Sequence, residues 1–182
     1  MRTTFFKLAL VLCVAAATTS VSVLARTAHA GPALTSIATL SFGADGTLFA
    51  ADTMAATIYA IDLGARKSVS GTKDVAALDQ KIASIAGTAA AEISIKDIAV
   101  DPKSHNTFVS VMRGQGASAQ PALFRVDGNG DVALVALDGL KFSSVALPNP
   151  AAASTTGRNN RLQSVTQMEL IDGKLYVTGL SN

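Results

Sequence analysis

Ser41-Phe42-Gly43-Ala44-Asp45-Gly46-Thr47-Leu48-Phe49-Ala50-Ala51-Asp52 is an apolar stretch, a tight polar turn and a second apolar stretch. The same pattern spans residues 37–51, 98–111 and 165–179. Twice a third apolar stretch follows and ends on aspartate, Ile58-Tyr59-Ala60-Ile61-Asp62 and Leu123-Phe124-Arg125-Val126-Asp127. Residues 37–42 alternate apolar with small or polar side chains, the period of a half-buried strand. Asp45-Gly46 supplies the positive φ that a tight hairpin turn demands.

Outward from this unit, the second begins near Ile95 and turns at Asp101-Pro102-Lys103-Ser104-His105-Asn106, where Pro102 and Asn106 mark the bend. Strands follow at 108–112, 122–126 and 132–137, the last two joined by Asp127-Gly128-Asn129-Gly130-Asp131. Between the units, Val75, Leu78, Ile82 and Ile85 fall three, four and three apart, which predicts a helix over 74–86 stopped by Gly87. The stretch 146–161, with Pro148, Pro150, small residues and Arg158-Asn159-Asn160-Arg161, reads as a long surface loop. A third unit opens with residues 167–178 around Asp172-Gly173.

Residues 1–30 are set apart from the fold. Arg2 and Lys7 precede an apolar run from Leu8 to Leu24, and Ala28-His29-Ala30 is a small-residue cleavage site, the order of a secretory signal peptide. An uncleaved anchor is the competing reading, weakened by Thr18, Thr19, Ser20 and Ser22. A periplasmic or extracellular location follows, with no stable membrane span after cleavage. Arg2, Lys7 and Arg26 leave with the signal, so twelve of the 15 basic residues face all 13 acidic ones, a net charge of −1. No basic patch then supports nucleic-acid binding, whose affinity comes from neutralising phosphates. Cys13 and His29 leave too, which removes disulfides and most cysteine–histidine or serine–histidine chemistry.

Strands in threes and fours with polar turns are the pattern of β-propeller blades. The wording SFGADGTLFAAD…IYAIDL (residues 41–63) and IKDIAVDPKSHNTFVSV (residues 95–111) resembles bacterial exported β-propellers of the NHL-type, gluconolactonase-like and quinoprotein-like superfamily. The expected fold is all-β: an incomplete propeller of about two blades and one hairpin, with one inserted short helix. Phe42, Val100 and Leu170 are 58 and 70 residues apart, beyond the ~40–45 of WD-type blades, and the absence of Trp argues against the quinoprotein subgroup. Two blades and a hairpin do not close a ring of about four to eight. The sequence therefore reads as the front of a longer chain, with self-assembly as the other route to closure. The first blade is expected to lack a neighbour on one side, and open edges are expected to self-associate.

The resemblance implies a binding or interaction module for an unknown protein, glycan or small molecule, without a cofactor evident from the residues. The alternative it implies is a metal-dependent, lactonase-like hydrolase using a divalent cation, calcium or zinc, with most site residues beyond the C-terminus. Asp52 and Asp97, at strand ends, are the metal-ligand candidates under that alternative. The plainer reading is that such aspartates cap turns and accept from backbone amides. Arg158, Asn159, Asn160 and Arg161 form the most hydrogen-bond-rich loop and are the ligand-contact candidates, against a merely solvated loop. Asp127 to Asp131 with Asp138 partly mimics an EF-hand calcium loop, yet Val132 stands where glycine is needed, and a hairpin turn is the better reading. Gly179-Leu180-Ser181 only begins a nucleophile elbow, and His105 reads as a turn residue.

Overall fold

A computed structural model describes residues 30–154 and 156–182. Residues 1–29, nearly all of the segment read as a signal peptide and including Cys13 and His29, lie outside the described residues. The chain is mostly antiparallel β. The first sheet is a meander of β1 (Thr39–Phe42), β2 (Leu48–Asp52) and β3 (Thr57–Asp62). The turn between β1 and β2 closes through Gly43 N–H donating to Thr47 C=O at 2.9 Å, with Gly46 at φ 81°. Asp45 accepts from Thr47 N at 3.0 Å and Thr47 Oγ1 at 2.9 Å, and these two bonds hold its carboxyl below the usual range.

The helix predicted over 74–86 is shorter. α1 runs Leu78–Ala86, because Ala77 sits at φ 51° without a side-chain cap, and Gly87 at φ 67° ends it as expected. The second sheet follows as β4 (Ile93–Val100), β5 (Thr107–Arg113), β6 (Gln120–Val126) and β7 (Val132–Leu134), in that order. Its turns close on their own aspartates. Asp101 N–H donates to Asn106 C=O at 2.9 Å, and Asp127 Oδ1 accepts from Asn129 N and Asp131 N. The hairpin reading of 127–131 therefore holds.

One strand was not anticipated. β8 (Lys141–Ala146) leaves the second sheet and pairs antiparallel with β3, Ile61 opposite Phe142, so the first sheet also has four strands. Phe142 and Val145 are three apart and point to opposite faces, so the segment lacks the strict alternation that marks a half-buried strand. A loop and a short 3-10 turn (Asn160–Gln163) lead to the hairpin β9 (Gln167–Ile171) and β10 (Lys174–Thr178).

Alternation along the strands decides how these sheets stack. Leu40, Leu48, Tyr59 and Ile61 face Phe108 and Leu123 of the second sheet. Ala51 and Ile58, on the opposite face of the first sheet, meet Val165 and Met168 at the hairpin. Val109, Val111 and Phe124, on the outer face of the second sheet, pack on Ile82 of α1. Each such side chain contributes about 1.5–3 kcal/mol on burial. The layers run hairpin, first sheet, second sheet, helix, and β1 lies between β9 and β4. The first sheet is thus covered on both faces, contrary to the expectation that it lacks a neighbour. α1 leaves part of the second sheet open, with Ile98 52 % and Val100 55 % exposed.

The linker between β3 and α1 is fixed by a close approach. A Cβ on Gly128 would stand 2.1 Å from Val69 C=O, and Gly128 C=O accepts from Lys73 N at 3.4 Å. Gly128→Ala must push residues 69–73 off the β6–β7 turn. A loss of about 1–3 kcal/mol is expected, read as a lower midpoint in urea denaturation.

Candidate functional site

The strand-end aspartates are structural acceptors. Asp52 closes β2 and is fully buried. Its carboxylate accepts from Thr35 N (2.5 Å), Thr35 Oγ1 (2.9 Å), Ser36 Oγ (2.7 Å) and Ala55 N (3.0 Å). It thereby ties the lead-in to β1 to the β2–β3 loop. Tyr59 donates to Ala33 C=O at 3.3 Å, and burial together with the Asp52 charge pushes its hydroxyl pKa up. Asp97 accepts from Leu40 N at 2.7 Å and from Ile98 N at 2.8 Å, joining β4 to β1. Among the described residues no three His, Cys, Asp or Glu side chains gather as a metal site would require.

The loop of arginines and asparagines is ordered largely by itself. Asn159 Oδ1 accepts from Ser154 N (3.2 Å) and Arg161 N (3.1 Å), the cap of the short 3-10 turn. Arg161 Nε donates to Ala151 C=O at 2.6 Å, and Arg158 donates to Gln163 Oε1 at 2.9 Å. Asn160 is exposed. Of the four, Asn159 lines a cavity.

That cavity is a groove of about 980 Å³ at the end of the sheets where β1 and β4 begin. Met54 comes from the β2–β3 loop, Met112 and Ala117 from the end of β5 and the loop after it, and Asn159 and Leu162 from the long loop. Met54 is 44 % and Leu162 52 % exposed, so apolar side chains edge an open site. The lead-in to β1 adds residues 35–38, and β4 supplies Lys96.

Lys96 lies at a β-bulge in β4. Ile95 pairs with Val111 and Asp97 with Ser110, so Lys96 is an extra residue in the ladder. Lys96 lines the groove with Ser94, two residues before it, and the Asp97 bond to Leu40 N holds the bulge against β1. The slip is legible in the sequence. Ile93 and Ile95 keep one phase of alternation, Ile98 and Val100 the other, and Lys96-Asp97 stands at the break. Reading for strand-end aspartates alone passed over Lys96, and Met54 and Met112 carry no sequence signal that separates groove from core.

The opposite end of the molecule holds a different cluster. Arg66 Nε pairs with buried Asp101 at 2.9 Å, while its other nitrogens donate to Gly64 C=O (2.9 Å) and Gly46 C=O (3.0 Å). Its guanidinium also stands 5.9 Å from the Phe108 ring centroid. Asp101 accepts in addition from Ser104 Oγ (2.5 Å) and Lys103 N (3.0 Å). Burial pushes the Asp101 carboxyl up, but Ser104, Lys103 and Arg66 together outweigh it and leave the pKa below the usual range. With its donors and acceptors so matched, this cluster is a clamp between three chain segments.

No family description, curated protein or solved structure matches the chain.

Proposed function

We propose that this chain is an exported binding module of β-propeller type whose ligand enters the groove between the two four-stranded sheets. The observation that carries the reading is the groove itself. Three separate loops and a bulged strand converge on about 980 Å³ of open space, close to the upper end of the range that small-molecule sites occupy. The propeller reading is supported by the stacking of the units through their first strands, β9 against β1 and β1 against β4, which is how blades stand around an axis. Loops on a rigid β scaffold are where such folds place recognition.

Filling the groove tests the reading. Ala117 is exposed at its wall, so Ala117→Trp adds bulk without disturbing the core. A neutral apolar dye, Nile red, is expected to bind the protein and to lose at least about tenfold in affinity in this variant, at an unchanged melting temperature. Equal dye binding by both proteins contradicts the groove as the site. Export has its own readout: intact mass of the natively produced protein is expected to place the mature N-terminus at Gly31, and a cytosolic chain retaining Met1 contradicts it.

A further inference from the structure

We infer that the groove selects a monoanionic amphiphile, a carboxylate head on an apolar body, with Lys96 as the residue that recognises the head; this rests on the groove being the binding site. Among the described residues that line it, Lys96 is the single ionisable side chain, and none is Asp or Glu. The nearest carboxylates in the chain are turned away. Asp97 faces Leu40 N between the sheets, and Asp52 is buried beneath Thr35 and Ser36. Lys96 itself makes no ion pair among the described residues. Among the described lining residues the wall therefore carries one positive charge and no negative one.

Placement argues against Lys96 as an incidental surface lysine. Ser94 and Lys96 are two apart on β4, so strand alternation brings both to the groove wall, and the bulge leaves Lys96 without a partner in the ladder. Next to it on β4, Ser94 lines the same wall and offers a hydroxyl to a second oxygen. An ammonium is a compact point charge with three donors, suited to one carboxylate rather than to a dianion that needs several cations. The rest of the lining is apolar Ile37, Met54, Met112 and Leu162, together with small residues, several hydroxyl side chains and Asn159. Methionine adapts to irregular apolar bodies, which fits an alkyl or aryl tail.

Calorimetric titration of the purified protein with octanoate, octanol and octylamine tests the assignment. Octanoate is expected to bind about tenfold more tightly than octanol, a charge-assisted contact discounted for an exposed lysine. Lys96→Met should bring octanoate down to octanol while leaving octanol unchanged, and Lys96→Arg should keep the preference. Equal binding of octanoate and octanol, or a preference for octylamine, overturns the anion selectivity, and an octanoate preference that survives Lys96→Met overturns Lys96 as the residue that recognises the head; each leaves the groove standing. Binding of none of the three overturns the groove and this inference together.

Discussion

Asp52→Ala is expected to destabilise the fold by about 3–5 kcal/mol, the loss being one of unpaired buried donors rather than of volume. The carboxylate gathers two backbone N–H groups, from Thr35 and Ala55, and two hydroxyls, from Thr35 and Ser36. Alanine removes their shared acceptor at a position that is itself fully buried. Asp52→Asn is expected to fare little better. Oδ2 accepts from Thr35 N and Oδ1 from Ala55 N, so either orientation of the amide turns its NH2 group toward a backbone N–H. Urea denaturation of the two variants checks this. A near-neutral Asp52→Asn would mean that one of those donors finds its partner elsewhere.

The second large effect lies in the clamp. Arg66→Met leaves Asp101 buried without its cation, and breaking a buried pair by removing one partner costs about 3–5 kcal/mol. Arg66 is 11 % exposed and Asp101 fully buried, so solvent replaces little of what is lost. The pair also sets an acid limit. The folded pKa of Asp101 is depressed, so its contribution is present above the unfolded value of about 3.9 and disappears as pH falls through the lower folded value. Removing Arg66 takes away a hydrogen bond and a charge that lower that pKa. Melting temperature followed from pH 7 to pH 3 should fall less steeply in Arg66→Met than in the parent, so that the gap between the two narrows as pH drops below about 4. Parallel acid limbs, or a loss under about 1 kcal/mol at neutral pH, would place the pair among weak surface contacts.

Much of the architecture was legible because it depends on local chemistry. Asp45-Gly46, Asp127-Gly128-Asn129-Gly130-Asp131 and Asp172-Gly173 each dictate a turn within a few residues, and alternation beside them dictates strands. What was not legible depends on long-range pairing. β8 is exposed throughout, with no buried face to print a period on its residues, and its partner β3 lies some eighty positions earlier. The hairpin β9–β10 was read correctly as a hairpin, yet its seat on the first sheet follows from Met168 and Val165 meeting Ala51 and Ile58, a matter of complementary faces.

The site was half legible for the same reason. Asn159 was picked for its hydrogen-bonding capacity and does line the groove, while Arg158, Arg161 and Asn160 serve the loop or face solvent. Asp52 and Asp97 were picked because strand-end carboxylates suit a hard cation. Backbone amides claim the same oxygens, and a single sequence does not separate the two demands. Lys96 stands at the phase slip that the bulge leaves in β4, a signal that a search for strand-end aspartates does not use.

A map of where ligand binds tests the central claim most directly. Amide and methyl resonances of isotope-labelled protein, recorded as octanoate is added, should shift most at Met54, Lys96, Met112, Ala117 and Asn159, with the Arg66–Asp101 end unmoved. Shifts concentrated around Asp45, Arg66 and Lys103, or spread evenly over the surface, would contradict a binding module built on the groove.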